Sequence, residues 1–234
     1  MSETFPPMAY LRELRRGKVL PQALFNSALP SYLHPNPIVR WWAWSRVRAA
    51  QALIMDCAGE RAVDLGCGLG VMLQFLARRY SHVLGIETEP EASQKVVSSF
   101  SLSNVDIIRR ATPQLPLDTG SVDLVVALDV LEHIPDLHAE TLEINRVLKP
   151  GGNLLVSIPT ENFLYRVGRR ILTGFARYAS YHLRTSDEVL AVLCRTLREV
   201  RRKEILPLLT CSIVAVYEKA DCARGACAMP IARH

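Results

Sequence analysis

Between residues 61 and 159 the chain alternates short apolar runs with amphipathic ones. RAVDL (61–65), HVLGIE (82–87), NVDIIR (104–109), SVDLVVALDV (121–130) and NLLVSIP (153–159) have strand length and are rich in Val, Ile and Leu. The fourth run is nearly continuous in apolar residues, as a strand buried on both faces must be. LGVMLQFLARRY, PEASQKVVSSF and residues 136–148 read as helices; Pro90 opens the second, and KPGG follows the third. Parallel strands joined through helices at this spacing form a sheet covered on both sides. Helices at 160–178 and 186–197 follow, then REVRRKEILPL and TCSIVAVYEK as two closing strands. The expectation is an α/β fold: a seven-stranded, mostly parallel sheet, helices on both faces, and an antiparallel last strand.

The first strand runs into VDLGCGLG, residues 63–70. A turn this tight leaves little room for side chains, and glycine permits unusual backbone angles and close approach of a ligand. The helix after it offers unpaired N–H groups. The glycine spacing is Gly66, Gly68, Gly70, with Val71 where a dinucleotide fingerprint has its third glycine. Asp64 lies just before the loop, where a carboxylate repels a pyrophosphate but accepts from an ammonium group. Glu87 ends the second strand about 20 residues further on, the distance at which an acid meets a ribose diol. Together these residues call for adenosine and a zwitterionic tail without phosphate. An NAD-dependent oxidoreductase is opposed by the same spacing.

VDLGCGLG, LGIETEP, VDLVVALDVLEHIPD and VLKPGGNLLVSIP resemble, in order, the motifs of class I S-adenosylmethionine-dependent methyltransferases, in particular the ubiquinone-pathway O-methyltransferases. The resemblance covers roughly residues 60–160. It implies a Rossmann-like sheet and S-adenosyl-L-methionine as cofactor. Asp64, Gly66, Cys67, Gly68 and Gly70 are placed along its methionine part, Glu87 on its ribose, and Asp129 at its sulfonium end. Thr112 is also counted among the cofactor-binding residues. Many relatives carry an aspartate after the third strand that meets the adenine amino group. Here IIRRATPQLPL supplies none, leaving backbone or Gln114 to make that contact.

Methyl transfer from a sulfonium asks the protein chiefly to align an acceptor and exclude water. An oxygen acceptor of high pKa also needs a base. In DVLEHIPD, Asp129, Glu132 and His133 follow a strand end within one turn, so His133 is the expected base with a carboxylate orienting its ring. His182, in YHLR beside Tyr181, is a second catalytic candidate. The alternatives for DVLEHIPD are a divalent-metal site made by Asp129, Glu132 and His133, as in the ExxEH motif of similar enzymes, and a purely structural role.

The rest of the chain bears on the acceptor. Residues 1–58 read as an N-terminal helical cap, with short helices at 8–18 and 21–28 and a long one at 37–56. The methyltransferase domain is expected over 59–220, with a helical lid insert at 160–185 and a tail at 221–234. Residues 163–178 form a basic amphipathic helix on a helical wheel, with Arg166, Arg169, Arg170 and Arg177 opposite the apolar arc. Its functional reading is a lid for a lipid-like acceptor or a peripheral membrane contact. The net charge of +5 alone selects no partner. No apolar run reaches the ~20 residues of a membrane span, and the six cysteines contain no CxxC pair, so a reducing, cytoplasmic setting is expected. The acceptor is expected to be a small molecule, with nucleic acid disfavoured because the arginines are not interleaved with an aromatic strand. An RNA methyltransferase is the runner-up. A cofactor-binding partner protein without turnover is the reading from another class.

Overall fold

The computed structural model describes residues 11–12, 32–110, 112–160, 183–205 and 212–220. The amphipathic segment 163–178, His182 and the tail 221–234 lie outside them, as do the two short N-terminal helices except for Leu11 and Arg12. In chain order the elements are α1 (Pro37–Leu53), β1 (Gly59–Leu65), α2 (Leu73–Ala77), β2 (Tyr80–Glu87), α3 (Glu91–Ser99), β3 (Val105–Arg109) and β4 (Val122–Leu128). A 3-10 turn (Leu131–His133), α4 (Leu137–Val147), β5 (Leu148–Pro159), α5 (Ser186–Leu193), β6 (Arg198–Ile205) and β7 (Ser212–Glu218) complete them.

The seven strands form one sheet in the order β3-β2-β1-β4-β5-β7-β6. Strands β1 to β5 pair in parallel, and β7 runs antiparallel to both of its neighbours, β5 and β6. The sheet is the one the alternation predicts. Strand β4 shows why it is buried on both sides: Leu124 and Val126 enter one hydrophobic cluster, Val125 and Ala127 the other. The first cluster is closed by α1, α2 and α3, and the second by α4 and α5. Helix α1 lies across β5, β6 and β7, and its Ala43, Trp44, Val47, Ala49 and Ala50 are core residues. Leu11 is also fully buried in this cluster.

Of the boundaries that differ from expectation, two do so for evident local reasons. Helix α2 begins only at Leu73, because Gly66, Gly68 and Gly70 all take positive φ (68°, 48° and 67°) and keep the chain turning. Strand β5 begins at Leu148, so the KPGG stop lies inside it; Gly151 there has φ +74°, and Lys219 N–H donates to the Gly152 carbonyl at 2.9 Å. The strand order reverses between β1 and β4, so the carboxyl ends of β1, β2 and β4 surround one crevice, where sheets of this kind bind ligands.

Candidate active site

The glycine loop leaves β1 and doubles back over β2. Gly66 N–H donates to the Ile86 carbonyl at 2.8 Å, and Gly70 N–H donates to the Cys67 carbonyl at 2.7 Å. A Cβ on Gly66 would overlap the Val130 Cγ2 methyl, and its φ of +68° disfavours any side chain. Glu87 clasps this loop. Its Oε2 accepts from Gly68 N–H at 2.8 Å, while its Oε1 accepts from Thr88 N–H and Oγ1 at 2.7 and 3.0 Å. Spacing had suggested only a ribose contact for Glu87. Of the roughly four lone-pair sites of a carboxylate, the clasp leaves one on Oε2 for a ribose hydroxyl.

Asp64 is 4 % exposed. Burial first, and then the Glu87 charge, push its carboxyl up to about 8. The two acids therefore sense one another across the loop. A carboxyl held protonated in this way gains by meeting a cation, which is the requirement of an ammonium-bearing ligand. Cys67, expected among the cofactor contacts, turns its thiol into the core, where Ser93 hydrogen-bonds it and burial pushes its pKa up. Only its backbone remains for a ligand. Thr112 is exposed, with its hydroxyl donating to the Gln114 carbonyl at 3.0 Å.

The chain leaves β4 through Asp129, which has φ +56°, a left-handed conformation that aspartate tolerates better than most residues. Its N–H donates to the Ser157 carbonyl at 2.8 Å, its Oδ1 accepts from Ser157 Oγ at 2.8 Å, and its Oδ2 pairs with Arg46. Arg46 comes from α1, is 8 % exposed, and lays its guanidinium over the Trp42 ring at 4.5 Å. Tyr32 packs against Trp44 with the ring centroids 4.9 Å apart and the planes tilted by 57°. Burial raises its pKa, the Arg46 charge lowers it, and the Asp64 charge raises it, so the phenol lies within reach of both charges. Sequence reasoning missed Arg46 and Tyr32. One signal was legible: Arg46 follows Trp42 by four residues, a helical spacing at which a guanidinium reaches a ring.

Within DVLEHIPD the side chains diverge. Glu132 is 1 % exposed, whereas His133 is exposed on the 3-10 turn. Asp129 is engaged by Arg46 and Ser157, and among the described residues no three His, Cys, Asp or Glu side chains stand close enough to hold a metal ion. Asp129, Glu132 and His133, the candidates for a metal site, are thus not gathered around one point. The turn is held from outside, since Leu183 N–H donates to the Glu132 carbonyl at 3.0 Å and Arg184 donates to the Ile134 and Pro135 carbonyls at 2.7 and 2.8 Å.

Residues 63–156 match the model of the methyltransferase domain family. The ubiquinone biosynthesis O-methyltransferase of Marinobacter nauticus is 35 % identical over 122 residues, covering 48 % of this chain and 51 % of that protein. Its counterpart from Xanthomonas oryzae pv. oryzae is 37 % identical over 107 residues, 44 % of each chain. This chain thus spans about half the length of the curated relatives it matches. The N-methyltransferase NodS of Bradyrhizobium japonicum WM9, solved with S-adenosyl-L-homocysteine, superposes with a TM-score of 0.64 at 19 % identity, covering 85 % of this chain and 97 % of its own. Residues 63–156 are thus similar to the methyltransferase domain family, and the fold is shared with a solved methyltransferase.

Proposed function

We propose that this protein transfers the methyl group of S-adenosyl-L-methionine to a small-molecule acceptor, with oxygen as the favoured acceptor atom. The observation that carries the reading is the coupled pair of acids around the glycine loop. Asp64, raised to about 8 by burial and Glu87, accepts the ammonium group of the cofactor. Glu87, already fixed against Gly68, accepts from a ribose hydroxyl. Arg46 stands beside Asp129 with its Nε unpartnered among the described residues, and it offers the cation that the carboxylate of the methionine tail needs. When bound, the cofactor supplies a methyl group on a sulfonium, a leaving group that needs no further activation.

The chain's own part is then to place an acceptor and manage one proton. His133, exposed on the turn after β4, takes the acceptor's hydroxyl proton on its ring. Oxygen is favoured because the curated relatives are named as ubiquinone biosynthesis O-methyltransferases. A hydrophobic acceptor is favoured by that name and by large apolar side chains left on the surface: Ile38 and Trp41 of α1, and Leu183 beside the 3-10 turn. No helix among the described residues is long and apolar enough to cross a membrane.

The test is transfer of a labelled methyl group into cell extract, separated into lipid, small-molecule and RNA fractions. Label in the lipid or small-molecule fraction, lost with His133→Ala, supports the proposal. Label in RNA favours the runner-up, and label in none favours a binding partner without turnover. Calorimetry with S-adenosylhomocysteine against NAD tests the cofactor; binding of NAD alone would overturn the reading.

A further inference from the structure

Three charged side chains of α4, at 140, 143 and 146, are committed to a single loop. Arg110, the first residue after β3, donates to both oxygens of Glu140 at 3.0 and 2.7 Å, to the Thr112 carbonyl at 3.2 Å and to the Pro113 carbonyl at 2.7 Å. Glu143 Oε1 accepts from Leu115 N–H at 2.8 Å. Arg146 donates to the Leu115 and Leu117 carbonyls at 3.2 and 2.9 Å. The Glu140 side chain is only 3 % exposed and that of Arg110 19 %. A buried pair of this kind adds little stability over apolar residues of similar volume. What a guanidinium fork adds is a fixed angle between the parts it joins.

The loop so fixed begins beside the ribose acid, because Arg110 N–H donates to the Glu87 carbonyl at 2.8 Å. In the proposed reading the methionine tail lies over β1 and β4 and the ribose over the end of β2, so the base extends over the end of β3, where this loop stands. From Ile108 to Leu117 the loop contains no acidic side chain. Of the described loop residues, 112–117, a base there would meet main-chain groups and the exposed side chains of Thr112 and Gln114. Main-chain groups discriminate one base edge from another only when they are held still, since an adenine and a hypoxanthine differ by one donor exchanged for one acceptor.

We propose that Arg110 and Glu140 are positioning residues for nucleoside recognition: their ion pair holds the loop after β3 in the one shape whose main chain selects adenine. This rests on the assignment of S-adenosylmethionine to the crevice. The pair stands in function where an acidic side chain would otherwise read the base directly. It acts through the loop and touches no reacting atom.

The experiment is calorimetric titration of S-adenosylhomocysteine and S-inosylhomocysteine into the wild-type protein, Glu140→Gln, and the double variant Arg110→Met/Glu140→Leu. The double variant leaves no unpaired buried charge; should it fail to fold, Glu140→Gln, nearly identical in shape, carries the test. Thermal melting identifies the folded variants. The wild type is expected to prefer the adenosyl ligand, and the variants to lose about tenfold in adenosyl affinity while inosyl affinity changes by less than about threefold. Folded variants that keep the wild-type preference would overturn the inference alone, as would a wild type that binds both ligands equally. A wild type that binds neither overturns the cofactor assignment and this inference with it.

Discussion

Burial and the Glu87 charge raise the Asp64 carboxyl to about 8, so near neutral pH the folded chain holds a proton there that an unfolded chain has released. Between the ordinary carboxylate range and about 8 the native state binds more protons than the unfolded one. Stability from this group is therefore complete at acid pH and is lost as pH rises through that window. Melting temperatures of the ligand-free protein across it should show a downward slope that Asp64→Asn reduces; an identical slope in the variant would mean that another group titrates. Glu87 joins loop and ligand. Glu87→Ala should weaken S-adenosylhomocysteine binding by about 1–3 kcal/mol through lost hydrogen bonds to a charged group, as measured by calorimetry. An unchanged dissociation constant would place the ribose elsewhere.

Among the elements, the turn from β1 to α2 has the least freedom. Gly66→Ala combines a left-handed backbone with overlap on Val130. It should lower stability by about 1–3 kcal/mol in denaturant titrations and abolish measurable cofactor binding, because Gly66 N–H and its neighbours would shift off β2. Helix α5 offers the contrast. Its capping box joins Thr185 Oγ1, which accepts from Glu188 N–H at 3.3 Å, to Glu188 Oε2, which accepts from Thr185 N–H at 2.8 Å. Thr185→Ala should lower stability by about 1 kcal/mol with cofactor affinity unchanged. A change in affinity would reveal that α5 is coupled to the crevice through Leu183 and Arg184.

For the molecule as a whole, the engagement of Asp129 by Arg46 and Ser157 leaves it unavailable to an ion, so methyl transfer should continue in the presence of a chelator. Activity lost on chelation and restored by magnesium would show a metal site made with residues beyond those described. The fold, and the glycine loop with Asp64 and Glu87 beside it, were legible in the chain because they rest on local regularities. Strand runs such as SVDLVVALDV carry their own burial pattern, and Asp64, Gly66, Gly68 and Glu87 sit on consecutive strand ends whose spacing the sheet preserves. Three features were not legible: Arg46 against Asp129, 83 residues apart by their own numbers, Tyr32 near Asp64, and Glu140 holding Arg110. Periodicity says which face of a helix is buried, and nothing about which strand end that face will cover. The amino-acid order therefore determined the mostly parallel sheet and the glycine loop at the end of its first strand. Packing of α1 and α4 against that sheet decided which charges stand beside the loop, because a contact between distant segments is set by how whole layers fit.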